Sequence, residues 1–555
     1  MRLSLMRGPV GLAAVMISAA AHAQEPPRCT EFKSEVTLGP LSGHRIDSVD
    51  VQTAQPDLGR FAALTRMRRR TQPEVIRREL LFAPGDSVDT LRVAESLRRL
   101  RELAFLEYAR VDAHECQTPS GAVLSLQVVT RDGWTARPEV KSNKGSPRIS
   151  LTERDLLGTG RTVSLDVVSH NRNLGIGVST SDAFGFGTGL TTRARFQRYY
   201  DGTVRSLSFG RRETSVTDRW RGGVEFWDQR YEPKVSTGDN FERTGGDLLA
   251  GMRVSAANDS HVVLVLGGVE SELTSLIAAD SAQIVGPSHI VRRFTGPEVG
   301  LSIRSGKYDT LTWLLAGGAV VDVPRTFETE VVVGVGPGTL TASDLSGPIE
   351  TSHTNFMTHY TAWAGRVWLP TRKSRVVSDI WASGFSGLNG WRSGRVRTAV
   401  SAEHAAPNGI WTLSLAAEHL TDPDPDIRAL TLFDRSLAFV PRQVRFAESA
   451  LTMWLDRTRH VAKLSSAYEL DGSIFGAYSR RWNLAVPTTT SNDFGIGVVG
   501  VGLSVASRRP GRSSIRLDYG VPVGAPPGVR RTPRFSVSLT PWLGAGRRRD
   551  KPSTF

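Results

Sequence analysis

The sequence predicts a small α+β domain over residues 44–132, followed by an antiparallel transmembrane β-barrel over residues 133–545 of a 555-residue chain. Three observations predict this fold class. The first 23 residues have the layout of an export signal. Beyond them no apolar run approaches the roughly 18 residues that a membrane-crossing helix requires. From residue 133 onward, segments of about eight to twelve residues alternate apolar and polar side chains between Gly, Asp, Asn, Ser and Pro turns.

The export signal comes first. Arg2 and Arg7 precede an apolar stretch from Val10 to Ala20, and Ala21-His22-Ala23 offers small residues before Gln24. Residues 24–43 then read as a short linker. Export bears on the charge. The chain carries 69 Lys and Arg against 55 Asp and Glu, a net charge of +14, and only eight of the basic residues are Lys. Such a balance usually suggests nucleic acid as a partner, but an exported protein does not meet the chromosome. Arginine pairs bidentately with phosphate, so outer-membrane lipid and lipopolysaccharide are the expected anionic partners. A codon bias that places Arg where other genomes place Lys accounts for the excess equally well. Two cysteines, Cys29 and Cys116, lie 87 positions apart. In an oxidising compartment they either close a loop or remain free thiols.

The small domain follows in the order strand, helix, helix, strand, strand. Ile46, Val49 and Val51 suggest an edge strand. Thr71-Gln72-Pro73-Glu74 has the form of a capping box, opening a helix that carries Val75, Ile76 and Leu80 and stops before Pro84-Gly85. A second helix starts near Ser87, with Val93, Leu97, Leu100 and Ala104 on one face. Phe105–Val111 and Ala122–Val129 read as the closing strands.

The barrel shows period two throughout. Val163, Leu165 and Val167 alternate with Thr162, Ser164 and Asp166, and near the end Phe535, Val537 and Leu539 alternate with Ser536, Ser538 and Thr540. One face suits lipid and the other a wet lumen. A soluble β-sandwich would also alternate, but no independent domain break interrupts the run. Trp and Tyr also recur near strand ends, as at Trp134, Tyr199, Trp227, Trp368, Trp391 and Trp542, where a ring that is apolar at one end and hydrogen-bonding at the other sits at an interface. Roughly sixteen to twenty strand-like segments are visible, and a closed barrel of about 16 is expected. The widest gaps between them, Ser275 to Val291 and Gly336 to Asn355, read as the longest loops. Residues 546–555, with Arg547-Arg548-Arg549-Asp550-Lys551, form a basic solvated tail.

The small domain resembles a POTRA domain, the periplasmic module in front of outer-membrane assembly and secretion barrels. The resemblance rests on the element order, on Val75-Ile-Arg-Arg-Glu-Leu-Leu-Phe-Ala-Pro-Gly-Asp86 and on Glu95-Ser-Leu-Arg-Arg-Leu-Arg101. Three barrel stretches resemble the BamA/TamA-type superfamily with its C-terminal bacterial surface antigen barrel. Arg131-Asp-Gly-Trp134 looks like the entry from the last POTRA strand. Leu151-Thr-Glu-Arg-Asp-Leu-Leu-Gly-Thr-Gly160 looks like the first hairpin, and Ser514-Ile-Arg-Leu-Asp-Tyr-Gly520 like the penultimate strand. Trp134, Glu153, Gly158, Gly160, Arg516 and Asp518 are the positions that carry it, and the two glycines suit a tight hairpin with φ > 0. The chain departs from the family in lacking its Val-Arg-Gly-Phe loop motif. Gly390, Trp391 and Arg392 are the nearest inward-loop candidates, with Leu437 to Pro441 as another.

The resemblance implies a non-enzymatic protein of the bacterial outer membrane that helps polypeptides insert into or cross it. The POTRA-like domain would then lie in the periplasm. Unfolded client polypeptide would add to the strand edge at Ile46, Val49 and Val51. The barrel seam, near Ser150 on one side and Phe535, Val537 and Leu539 on the other, would part to receive it. Pro533 and Pro541 flank the last strand and cannot donate a ladder bond. A periplasmic or lipoprotein accessory factor is a further implied partner. A passive porin with a POTRA-like spacer is the alternative. No Gly-x-Ser-x-Gly elbow, His-Glu-x-x-His or paired Cys-x-x-Cys occurs, so no catalytic residue, metal site or cofactor is expected.

Overall fold

A computed structural model describes residues 28–33, 41–55 and, apart from Ala104, Trp134 and connections between strands, residues 69–541. The export signal 1–23 and the tail 546–555 lie outside the described residues.

The small domain is built from β1 (Arg28–Lys33), β2 (Ser48–Ala54), α1 (Pro73–Arg77), α2 (Thr90–Glu102), β3 (Leu106–Thr118) and β4 (Gly121–Asp132). From β2 onward this is the expected strand, helix, helix, strand, strand order. The four-stranded sheet runs β1-β3-β4-β2, with β2 parallel to β4 and the other pairs antiparallel. The segment 24–43 is therefore not only a linker, because β1 lies within it and pairs with β3. Asp89 caps α2 by accepting from the amides of Leu91 at 2.9 Å and Arg92 at 3.4 Å, so the helix starts at Thr90 instead of near Ser87. Val93, Leu97 and Leu100 are buried against Ile46, Ile76, Val111 and Leu126. Burying each large side chain contributes about 1.5–3 kcal/mol. Between the two helices, the fully buried Glu79 accepts from Arg99 at 2.8 Å. The expected capping box does not form. Gln72 stands at the N-cap without a side-chain bond, and α1 is only five residues long. The hydroxyl of Thr71 is used elsewhere.

The rest of the described chain is a ring of twenty antiparallel strands, four more than expected. Two reasons account for the difference. The first barrel strand, β5 (Ala136–Asn143), contains Pro138, Glu139 and Lys141, which break the alternation that marks a strand in sequence. Strand reaches into both expected loops: His261–Ile277, His289–Ser305, Phe327–Ser343 and Glu350–Thr371 are each 17 to 22 residues long, and residues 278–288 and 344–349 between them lie outside the described residues. A register shift between Gly336 and Gly338 disguises the third in sequence. A two-stranded hairpin, Tyr308–Leu311 with Val321–Pro324, extends one connection.

The ring is apolar outside, and its inner wall mixes apolar clusters with buried polar and charged residues. On the strand Phe494–Ser507, Val499, Val501 and Leu503 are each more than half exposed, whereas Phe494, Ile496 and Val498 face inward and are buried. On Ala447–Lys463, Met453 and Leu455 face out while Thr452, Trp454 and Asp456 are buried within. Exposed aliphatic residues around buried Arg, Asp and Glu invert the pattern of a water-soluble protein, and a surface of this kind is stable against lipid. Closing the strands on one another also satisfies their backbone groups without water.

Candidate functional site

Two places combine unusual geometry with residues singled out by sequence: the junction between the small domain and the barrel, and the seam of the ring with the wall beside it.

At the junction, the turn between β6 (Ser146–Glu153) and the strand Arg161–His170 reaches back to the small domain. Leu157, Gly158 and Gly160 have φ of +58°, +76° and +74°, so both glycines occupy the left-handed region expected of them. Gly158 is also held by contact, since a Cβ there would stand 2.1 Å from the carbonyl oxygen of Arg70. Its own carbonyl accepts from the amide of Gln72 at 2.9 Å. Beside it, Thr71, Asp132 and Asp155 are almost fully buried together. The Thr71 amide donates to Asp132 Oδ2 at 3.0 Å, and its hydroxyl lies 2.6 Å from Asp132 Oδ1 and 2.7 Å from Asp155 Oδ2. Asp155 Oδ1 in turn accepts from the amide of Gly160 at 2.7 Å, and Glu153 Oε1 accepts from the amide of Asp155 at 3.1 Å. Thr71 belongs to the small domain, Asp132 ends β4, and Asp155 lies in the barrel turn. Hydrogen bonds to charged groups are each stronger than neutral ones, so this buried set fixes the domain at the mouth of the ring.

At the seam, β5 meets the last strand, Arg534–Pro541, and completes the ring order. Both are eight residues long. Neighbouring strands of the ring carry a residue-by-residue antiparallel ladder, for example β5 with β6 from Ala136 opposite Glu153 to Asn143 opposite Ser146. The last strand and β5 are hydrogen-bonded neighbours in the ring, and they are shorter than most of its strands. Pro138 within β5 and Pro541 at the end of the last strand each lack the N–H that a ladder bond uses.

Next to the seam, the inner wall holds a buried ion bracket. Arg516, on the strand Ser513–Val523, donates from Nε to Asp518 Oδ1 at 2.6 Å and from a terminal nitrogen to Asp456 Oδ2 at 2.5 Å. Asp456 lies three strands away in the ring. The side chain crosses that distance over Gly502, where a Cβ would stand 2.4 Å from Asp518 Oδ1 and 3.2 Å from Arg516 Nε. Trp454 and Phe475 stack at 4.6 Å beside it.

The structure places the remaining expected residues as follows. Ser150 is not at the seam: it lies in β6, opposite Glu139 of β5 and Asp166, and its hydroxyl donates to Asp166. The unrecognised strand β5 displaced the expected seam by one position. Phe535 is on the last strand and 71% exposed, and Val537 and Leu539 belong to the same strand. Ile46 and Val51 are buried in the small-domain core, so their side chains cannot meet a client, and only Val49 is partly open. The backbone of β2 is nonetheless an outer edge of the sheet. Gly390, Trp391 and Arg392 are not loop residues. They open the strand Gly390–Ala406, opposite Gly387, Ser386 and Phe385, because the turn before them is short. Trp134 and the segment Leu437 to Pro441 lie outside the described residues. Backbone register sets Cys29 directly opposite Cys116. Sequence reasoning gave no role to Asp456, and it read Thr71 as a helix cap. Asp132 and Asp155 lie within the stretches that carry the resemblance, but their pairing with Thr71 was not foreseen.

No family model matches the sequence, and no curated protein matches it. Among solved structures, the chain is similar to BamA from Haemophilus ducreyi lacking POTRA domains 1-3, at 11% identity and a TM-score of 0.34, covering 90% of this chain and 84% of that one. It is also similar to CdiB from Escherichia coli, at 10% identity and a TM-score of 0.40, covering 92% and 80% of the two chains. CdiB from Acinetobacter baumannii gives 10% identity and a TM-score of 0.37, covering 92% and 77%.

Proposed function

We propose that the chain is a bacterial outer-membrane barrel that inserts polypeptides into that membrane or passes them across it, with the small domain acting as a periplasmic POTRA module. The observation that carries this reading is the seam. The two strands that close the ring are only eight residues long, and each carries a proline that cannot donate a ladder bond. A closed pore has no need of a weak join, but a barrel that admits a client strand laterally does. The junction set Thr71, Asp132 and Asp155 supports the reading, because it holds the outer edge of β2 at a fixed place relative to the ring. A client segment adding to that edge would be guided by main-chain bonds. Outer-membrane lipid and lipopolysaccharide would surround the apolar outer face.

Depletion of the protein followed by measurement of the outer-membrane proteome tests the proposal. Other barrel proteins should fall in abundance. If their levels hold while small-solute uptake drops, the chain is a passive channel with a spacer domain. A second test locks the seam with cysteine pairs placed across Ala136–Asn143 and Arg534–Pro541. Oxidation should abolish function and reduction restore it; a locked barrel that remains active overturns the seam mechanism.

A further inference from the structure

Halfway round the ring from the seam, the inner wall gathers acid. Counted from β5, the eighth to twelfth strands are Asn240–Arg253, His261–Ile277, His289–Ser305, Phe327–Ser343 and Glu350–Thr371. Glu225 on the seventh strand is the direct cross-strand partner of Asp247, and Asp247 is the partner of Glu270. Glu298 lies one step along, opposite Gly334, and Gly334 is opposite His359. Like charges directly opposite one another are destabilising, and either a nearby cation or protonation relieves them. The nearby arginines are engaged elsewhere: Arg243 and Arg292 both hold Glu272, and Arg221 holds Glu330 at 2.6 Å. His359 is the remaining basic group at the cluster, with Nδ1 2.5 Å from Glu270 and 3.6 Å from Glu298.

We propose that Glu270, Glu298 and His359 hold a divalent transition-metal cation on the lumenal wall. One ligand atom from each lies within 4.8 Å of the other two. Two carboxylates and an imidazole form a donor set suited to Zn²⁺ and its first-row neighbours, and less suited to Mg²⁺ or Ca²⁺, which prefer oxygen alone. A second observation points to a missing positive charge. Asp247 is 4% exposed and its Oδ1 is fully buried without a hydrogen-bond partner, within electrostatic reach of Glu270 and Glu298. The pocket is also shaped for convergence. Gly334 sits between Glu298 and His359, and a Cβ there would stand 3.2 Å from both Glu298 Cγ and the Phe294 ring. Phe385 stacks on His359 with centroids 4.5 Å apart, which fixes the imidazole plane. A bound ion would tie together the strands opposite the seam, so that the ring parts on one side only. The site does not depend on the assembly reading; only that mechanical role does.

The test uses full-length protein in detergent micelles, stripped with chelator and dialysed against Zn²⁺. One equivalent should bind, with at least tenfold weaker affinity in Glu298→Gln and His359→Ala, and excess Mg²⁺ should not displace it. A separate cluster of His460, Glu469 and Asp471 is more exposed and serves as an internal control. Binding that survives His359→Ala but is lost in His460→Ala overturns the proposal, as does failure of the stripped protein to take up Zn²⁺. Should the variants not fold, X-ray absorption of the Zn²⁺-loaded His460→Ala protein decides, because that change removes the imidazole of the second cluster. A shell with a single imidazole among oxygens is expected, and a shell without imidazole overturns the assignment.

Discussion

Thr71 and Asp155 are 84 positions apart in sequence and 2.7 Å apart in space, one in the small domain and the other in the first turn below the barrel wall. A single hydroxyl thus lies between two buried carboxylates, Asp132 and Asp155, that belong to different parts of the fold.

Thr71→Val keeps the shape and removes the hydroxyl. The hydroxyl has one proton to donate, so one of the two carboxylates loses a donor, at a cost of about 1–3 kcal/mol to docking of the domain. The Gln72 amide, which donates to Gly158, should exchange with solvent tenfold faster or more, while the ladder amides of the ring remain protected. Unchanged Gln72 exchange would show that the Thr71 hydroxyl does not hold the domain to the ring.

Arg516→Met leaves Asp456 and Asp518 buried without their shared cation. Breaking such a pair costs about 3–5 kcal/mol. Arg516→Lys should not restore it, because one ammonium lacks the guanidinium fork that reaches both acids. Asp456→Asn in the Arg516→Met background should recover part of the loss. Urea unfolding in lipid vesicles, arranged as a double-mutant cycle, measures the coupling.

Val501 faces outward and is more than half exposed. In a membrane, Val501→Arg should destabilise the folded barrel by about 2–4 kcal/mol if the residue lies near the midplane. In a water-soluble ring the same change would cost almost nothing, so equal stability of the two proteins in vesicles would contradict the membrane reading.

Directly opposed cysteines on antiparallel strands have Cα separations of about 4.5–5.5 Å, inside the range a disulfide accepts. Cys29 and Cys116 are therefore expected to be bonded in protein isolated from an oxidising compartment. A bond closing so long a loop stabilises by about 4–5 kcal/mol in the chain-entropy treatment. Non-reducing electrophoresis of a proteolytic digest should show the two peptides joined, and their separate migration would refute the pairing.

How much of this was legible in the sequence follows from the range of each interaction. Alternation is local, so the outward Val499, Val501 and Leu503 and the last strand with Phe535 could be read directly. Strand β5 could not, because Pro138, Glu139 and Lys141 mask its period, and that single omission placed Ser150 at the seam. Gly158 and Gly160 were recognisable from turn chemistry, but the contact of Gly158 with Arg70 was not, since it joins segments nearly ninety positions apart. Thr71 was misread for the same reason. A Thr before a Pro and a Glu has the local signature of a cap, and only the folded chain brings Asp132 and Asp155 to its hydroxyl. The bracket of Arg516 reaches an aspartate 60 positions away, a distance that no spacing rule covers.

The position of β1 has a consequence for any polypeptide approaching the small domain. The sheet order β1-β3-β4-β2 makes β1 and β2 its two outer strands, and the chain's own Arg28–Lys33 covers β3. A strand seeking β3 must displace a tethered rival whose effective concentration is on the order of millimolar. A weakly pairing segment would lose that competition, which leaves the outer strands β1 and β2 as the accessible edges of the sheet.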